Sequence, residues 1–435
     1  MDSESRMDPW LLLGQPPDPV PSIGVHPRHD QIRNTGPPRL LKQQGCPACQ
    51  RLEIQVAVGI NHLAFLRDVW RIFTTQVHDC PMSTFSPDIS IIVPVLNDAA
   101  ELAGLLENLA GQRGTCFELI VCDGGSHDHT CHLIATEAPR LPFRLRLVES
   151  RRGRGAQMNA GAAAAGAEIL LFLHADSRVE ESDGITVALM AFRAFGYGIP
   201  VAARFRLRFR RSSAAASRSY FYHEAKARLN RADCIRGDQG YMIRRQDFEL
   251  LGRYDEALPY LEDVRLAHAV EKHGGWLLLP ATLDTSARRF EQEGFRERQI
   301  ASAIIINAFT TGWNELLTSL PELYHCGPSG TLDLEALLGG VTRMLKSGDP
   351  AWRRRFWRAT GRHLAANAWQ FFFWIDVRSA YLRGHSPDRV GQRWLGLYQR
   401  LLQGTCSSYP AGVIAELLAR LWFWQLIFKE TRRTG

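Results

Sequence analysis

Lysine is nearly missing from this chain. It occurs five times in 435 residues, so arginine supplies almost all of the 52 basic residues behind the +7 net charge. The planar arginine fork grips phosphates better than a lysine ammonium does, although coding bias would produce the same composition. Regular cysteine spacing is also absent. Nine cysteines are scattered along a long chain, which argues against a disulfide framework and for a reducing compartment. The first residues are acidic and Pro-rich, without a basic start before an apolar run, so no signal peptide is assigned. No stretch of about 18 uncharged apolar residues occurs, so no transmembrane helix is expected.

What is present fits a packed globular chain. Hydrophobic residues make up 45% and charged residues 22%, an ordinary balance. The length allows two domains, or one large domain with extensions. Residues 1–45, rich in Pro, Gly, Asp and Arg, read as disordered. Cys46 and Cys49 stand at metal-ligand spacing in "CPACQ", with His78 and Cys80 able to complete a zinc set. "MSTFSPDISIIVPVLND", from Met82, reads like a natural protein start. Residues 1–81 are therefore expected to be an accessory leader or an overlong start.

From residue 88 strands alternate with helices. "ISIIVPVL" (89–96) is a continuous β-branched run, as in a buried parallel strand. Residues 98–112 repeat apolar positions at three and four, as a helix does. Strands follow at 117–125, 143–150 and 168–176, with helices at 126–138 and 153–167 between them. Ser126 is placed as the cap of the 126–138 helix, which would leave Asp123 free for a ligand. Alternation of this kind means an α/β fold with a largely parallel sheet. Such sheets bind ligands beyond the carboxyl ends of their strands. That explains why "LLFLHADSRV" (170–179) ends an apolar run on His174 and Asp176. Asp123 ends another, and both are expected in one crevice.

Residues 331–435 differ. They are helical in period, hold seven of the eleven Trp residues, and carry ten Arg and no Lys between Ala351 and Arg400. Two readings stand side by side: a membrane-surface segment, or a helical subdomain with a solvated basic face.

Seven ordered stretches carry chemistry: "PVLND" (94–98), "VCDGGSHDHT" (121–130), "RRGRGAQMNAG" (151–161), "LFLHADSR" (171–178), "RGDQGYMIRR" (236–245), "YLEDVRL" (260–266) and "ARRFEQEG" (287–294). Their order and wording resemble the family 2 inverting glycosyltransferases of GT-A fold. They resemble most the subgroup named for arsenosugar biosynthesis and for association with radical-SAM or selenium genes. The resemblance spans roughly residues 88–325. It implies a GT-A, Rossmann-like mixed sheet over 88–325 with a helical extension over 331–435. It also implies transfer of a sugar from a nucleotide-diphospho-sugar to an acceptor hydroxyl, with Mn²⁺ or Mg²⁺.

The resemblance implies the site residues as well. Asp176 matches the metal ligand of the family's Asp-x-Asp motif, with His174 at its first position. Pro94, Asn97, Asp98 and Asp123 match the nucleoside end of the donor site. Asp98 stands where the family commonly has Glu, and a cap for the helix from Ala99 is its other reading. Arg152, Arg154 and Asn159 lie near a helix N-terminus, where anions are favoured. Asp238 and Gln239 are expected to line the acceptor or sugar pocket. Arg288 and Arg289 resemble the late basic motif that contacts the pyrophosphate, with Arg289 slightly preferred. Glu262 and Asp263 match the Glu-Asp pair whose Asp is the base for the acceptor hydroxyl.

A lipid-linked or small-molecule acceptor, a cytoplasmic location and contact with the inner face of the cell membrane are expected. No nucleic-acid motif is seen. Two other readings remain: a membrane-associated scaffold that keeps the fold without catalysis, and a nucleotidyltransferase. The second is disfavoured, because "PVLND" stands where those enzymes carry a Gly-rich loop with Arg or Lys. "AYLRGHSPDRVGQRWLGLY" (380–398) resembles the subgroup's closing segment but comes late, which implies an insertion after about residue 325.

Overall fold

The computed structural model describes residues 86–195, 201–215, 217–327 and 329–434. The leader over 1–81, with Cys46, Cys49, His78 and Cys80, lies outside the described residues. In chain order the first elements are β1 (Ile89–Val95), α1 (Ala99–Ala110), β2 (Phe117–Asp123), α2 (Thr130–Glu137), β3 (Arg144–Glu149) and α3 (Arg154–Ala164). Next come β4 (Ile169–Phe172), β5 (Arg178–Val179), α4 (Gly184–Arg193), β6 (Val201–Arg210), α5 (Arg218–Lys226), β7 (Tyr241–Arg244), α6 (Arg245–Leu250), α7 (Glu262–His273) and β8 (Gly275–Ser286). Helices follow: α8 (Arg288–Glu293), α9 (Phe295–Thr311), α10 (Asn314–Leu323), α11 (Leu334–Ser347), α12 (Pro350–Ala366), α13 (Trp369–Leu382), α14 (Arg393–Leu401), α15 (Gln403–Cys406) and α16 (Tyr409–Thr434).

The strands form one sheet in the order β3-β2-β1-β4-β7-β6-β8-β5. β3, β2, β1 and β4 are parallel; β7 runs antiparallel between β4 and β6, and β5 runs antiparallel to β8 at the edge. This is the expected mixed α/β sheet with a C-terminal helical region. β1 is buried on both faces, so its apolar run does not alternate with polar residues. Ile91 and Val93 pack with Leu102 and Leu105 of α1 and Ile185 of α4. Ile92 points to the other face, with Met158 of α3 and Leu266 of α7. Two helical layers therefore sandwich the sheet. The small residues of α3 allow close approach: a methyl on Gly161 would lie 2.4 Å from Ile92 and 2.6 Å from the Cys122 sulfur.

Packing changes character at Gly294, between α8 and α9. α9 and α10 share a core with α11, α12 and α16, built around Trp313, Leu317, Leu338 and Phe356. The chain then returns to the sheet region. Trp369, Phe373 and Val377 of α13, with Tyr398 of α14, pack on Tyr222 of α5, and Lys226 Nζ donates to Gln370 Oε1 at 2.9 Å.

One expectation is corrected in α16. Tyr409–Glu430 is long and apolar enough to cross a membrane by length and composition, with a mean hydropathy of 1.4. Glu416 and Arg420 interrupt the run, and for that reason no such stretch was expected. They stand one turn apart and pair with each other at 2.8 Å, so the helix carries both charges as one ion pair.

His363 of α12 gives this bundle a pH dependence. It is 1% exposed, and burial pushes its imidazole down to about 3. In the unfolded chain it takes a proton near pH 6.5. Between those values the unfolded state binds the extra proton, so stability falls as pH falls. Relative to His363→Phe, the parent should lose about 2 kcal/mol between pH 7 and pH 5. Urea melts of both proteins at the two pH values measure this difference, and an unchanged gap would rule it out.

Candidate active site

β4 stops at Phe172 because the chain turns. Ser177 N–H donates to the His174 carbonyl at 3.1 Å, and His174 N–H donates to the Ser177 hydroxyl at 3.3 Å. The turn holds His174 and Asp176 beyond the carboxyl end of the strand. Gly237, which opens the "GDQG" turn before β7, meets them there. Its N–H donates to Asp263 Oδ2 at 2.8 Å. A methyl on Gly237 would lie 3.2 Å from His174 Nε2 and 3.4 Å from Asp263 Oδ2. Three separate segments thus converge on one point, and a side chain added at Gly237 would press on His174 and Asp263.

Asp263 sits in the first turn of α7. Leu261, just before it, has φ 67°, a left-handed conformation that a bulky residue adopts only where its surroundings hold it. Glu262 is buried and accepts from Arg154 Nε of α3 at 2.8 Å. Burial pushes the Glu262 carboxyl up, and Arg154 opposes that. Sequence adjacency therefore gives the two acids different surroundings: Glu262 is committed to Arg154, while Asp263 is part-exposed beside His174.

The electrostatics tie the cluster together. Burial, reinforced by Arg154, lowers the His174 imidazole to about 4, so it is neutral at pH 7. Burial pushes the Asp176 carboxyl up, with Arg289 opposing and Asp98 adding to the shift. Burial and then Asp263 push Asp238 up to about 7. Asp238 Oδ1 is buried and makes no hydrogen bond among the described residues, and the same holds for Gln239 Oε1. Gln239 Nε2 is anchored on the Cys234 carbonyl at 2.9 Å.

Arg288 and Arg289, inseparable in the sequence, differ here. Arg288 donates to Asp98 Oδ1 at 3.1 Å and lies 3.9 Å from Glu101. Arg289 is exposed, faces His174 and Asp176, and makes no ion pair among the described residues. Two further arginines belong to the network. Arg210 pairs with Glu101 at 2.9 Å and donates to the Asp176 carbonyl at 3.4 Å, and Arg178 pairs with Glu101 at 3.4 Å. The signal for Arg210 was the alternation in "RFRLRFR" (204–210), where Phe205, Leu207 and Phe209 are buried and arginines intervene.

Other expected residues are engaged within the protein. Ser126 does not cap α2, which begins at Thr130. Its N–H and hydroxyl bond the Asp123 carboxylate, which also accepts from Gly125 N–H at 3.0 Å. Asp123 is therefore not left free as expected. Asp98 stands at the N-cap position of α1 without a side-chain cap bond; Asp128 Oδ2 accepts from Ala99 N–H instead. Asn97, at φ 53°, bridges to Ser126 and His127, and Pro94 lies in β1 one residue before its end. Asn159 clamps the backbone of Tyr254 and the Glu256 carboxylate. Arg152 is exposed. Gln157 of the same helix went unnoticed in the sequence. It is buried and donates to the carbonyls of Val95 and Cys122, tying together the ends of β1 and β2.

Among the described residues no group of three or more His, Cys, Asp or Glu could enclose a cation alone. His174 and Asp176 supply at most two ligands. That number fits a Mg²⁺- or Mn²⁺-type ion that completes its shell with phosphate oxygens, and the neutral His174 is in the form that ligates metals.

Residues 90–251 match the family model described as glycosyl transferase family 2, a little over a third of the chain. The PGL/p-HBAD biosynthesis glycosyltransferase of Mycobacterium tuberculosis is 40% identical over 99 residues, which cover 22% of this chain and 39% of that relative. An uncharacterized glycosyltransferase of Nostoc sp. is 30% identical over 89 residues, 20% of this chain and 28% of its own length. Thus the chain matches well under half the length of either relative. Among solved structures, the mannosyltransferase of Pyrobaculum calidifontis in complex with GDP-Man and Mn²⁺ is 17% identical at a TM-score of 0.41, covering 86% of this chain and 98% of its own. S. aureus TarS residues 1–349 in complex with UDP is 14% identical at a TM-score of 0.39, covering 68% of this chain and 92% of its own. Likenesses that distant transfer neither a substrate nor a metal. The match to the glycosyl transferase family 2 model runs from β1 through α6, while Glu262, Asp263, Arg288 and Arg289 lie beyond it.

Proposed function

We propose that this protein is an inverting glycosyltransferase that moves a sugar from a nucleotide-diphospho-sugar to an acceptor hydroxyl with the help of a divalent cation. The observation that carries the reading is the convergence of His174, Gly237 and Asp263 at the strand ends, inside and just beyond a glycosyl transferase family 2 stretch.

The residues divide the work as follows. Asp263 Oδ2 is held by Gly237 N–H, which leaves Oδ1 to take the proton of the acceptor hydroxyl. The acceptor oxygen bonds to the anomeric carbon as the bond to the leaving diphosphate breaks on the opposite face. Glu262 is a positioning residue that holds Arg154. Arg154, Arg152 and Arg289, which makes no ion pair among the described residues, favour the diphosphate. Asp176 and His174 would hold the cation, which would neutralise charge developing on the leaving diphosphate. The unpartnered Asp238 and Gln239 oxygens suit sugar or acceptor hydroxyls. Pro94, Asn97, Asp98 and Asp123 frame the nucleoside end, and Asn159 supports it through the 254–256 loop.

Calorimetric titration with UDP, GDP, CDP and ADP, each with Mn²⁺ and with EDTA, tests the reading. Metal-dependent binding of one nucleotide supports it and identifies the donor class. A folded protein that binds none of them sinks it in favour of the non-catalytic scaffold.

A peripheral location at the cytoplasmic face of the cell membrane belongs to the same proposal. Ile414, Leu417, Leu421, Trp424 and Phe428 are exposed on α16 at helical spacing, and Trp394, Leu397 and Leu401 are exposed on α14. Arg354, Arg355, Arg362, Arg393 and Arg400 are exposed on α12 and α14. Apolar residues backed by cations suit an anionic lipid surface. The protein should co-sediment with phosphatidylglycerol vesicles and poorly with phosphatidylcholine. Leu417→Asp with Leu421→Asp should weaken that binding at least about tenfold; undiminished binding would remove α16 from the contact.

A further inference from the structure

α7 begins without the devices that usually fix the start of a helix. Its N-cap position is Leu261, whose side chain makes no cap bond; a Ser, Thr, Asp or Asn there would accept from a free N–H of the first turn. A hydrophobic staple would need an apolar fourth helical residue to meet the apolar side chain before the cap. The fourth residue is Arg265, which is exposed. Leu261 is also held at φ 67° and ψ 21°. A non-glycine residue stays in that left-handed region only where its surroundings over-determine it. Yet this is the turn that carries Asp263, whose Oδ2 accepts from Gly237 N–H at 2.8 Å.

The missing contact comes from the helical extension. Tyr260, the residue before the cap, packs against the core that α9, α10, α11, α12 and α16 share. The extension thus supplies the staple partner that α7 lacks. We propose that Tyr260 is a positioning residue: seated on the extension, it holds Leu261 left-handed and thereby sets Asp263 against Gly237. The competing account is that α7 anchors itself. Val264, Leu266 and Ala267 are buried, and Glu262 is paired with Arg154; if these contacts sufficed, Tyr260 would be dispensable. The role of Asp263 as the base rests on the function proposed above, whereas its placement by Tyr260 does not.

Hydrogen-exchange mass spectrometry of the full chain reads the contact between Asp263 and Gly237 without any substrate. In Tyr260→Ala, peptides carrying Gly237 should exchange about tenfold faster, the fold-change that matches the strain of a left-handed leucine. Peptides from β1 should exchange as in the parent. Tyr260→Phe, which keeps the ring, should behave like the parent throughout. Adding Leu261→Gly to Tyr260→Ala should restore protection at Gly237, because glycine enters the left-handed region freely. If Tyr260→Ala does not fold, Tyr260→Gln makes the same comparison. In transfer assays Tyr260→Ala should lower kcat about tenfold and leave nucleotide affinity unchanged. Parent-like exchange at Gly237 in Tyr260→Ala, equal acceleration in β1, or no recovery on adding Leu261→Gly would overturn the proposal. A parent protein that transfers no sugar would count against the glycosyltransferase reading alone, and the exchange data would still decide this one.

Discussion

Asp263→Asn is expected to bind the donor nucleotide as the parent does and to transfer sugar about 10²–10⁴-fold more slowly, the usual contribution of a positioned base. The substitution is isosteric, and an amide oxygen can still accept the Gly237 N–H that Asp263 Oδ2 accepts at 2.8 Å. The turn that brings His174, Gly237 and Asp263 together therefore survives. What disappears is the carboxylate's capacity to take a proton. Calorimetry with the nucleotide and single-turnover transfer assays separate the two effects. Full transfer activity would remove Asp263 as the base. Loss of nucleotide affinity along with activity would show that its charge serves the donor instead.

Asp176→Ala is expected to abolish the metal-dependent part of donor binding, at least about a 100-fold loss of affinity in the presence of Mn²⁺. Among the described residues two protein ligands are the most this site offers, so removing the carboxylate leaves His174 alone, and an imidazole does not balance a divalent charge. Arg288, Arg289 and Arg210, which face Asp176, remain, so a weaker affinity for the diphosphate that EDTA does not change should persist. An Asp176→Ala protein whose nucleotide affinity still responds to Mn²⁺ would move the cation elsewhere.

Some of this site was legible in the chain. Asp263 was legible only through the family resemblance, whereas His174 and Asp176 end one strand of strong local period and Asp123 ends another. In an α/β sheet the strand ends are where ligands bind, so their position along the chain already implied a shared location. The division of labour between Glu262 and Asp263 was not legible. Both occupy the first turn of α7, and only the approach of Arg154, 108 positions earlier in the chain, decides which one is buried and paired. Ser126 shows the same limit at short range. A Ser ahead of a helix is a good cap, but here its hydroxyl bonds Asp123, and α2 starts later.

By itself, the sequence determined the alternation of strands and helices from β1 to β4. Side chains repeat every two residues in strands and every three or four in helices, and burial imprints that repeat on the chain. It also determined that acids and an imidazole follow the apolar runs. Tertiary structure alone decided the partners: Asp98 with Arg288, Glu101 with Arg210, Gln157 across β1 and β2, and α13 against α5. Pairing of charges across a hundred residues or more depends on strand order and helix packing, which no local period encodes. The same holds for α16. Its composition left a membrane-surface segment or a packed helical subdomain open, and packing decided which residues are buried, Ala419, Phe423 and Leu426, and which remain exposed.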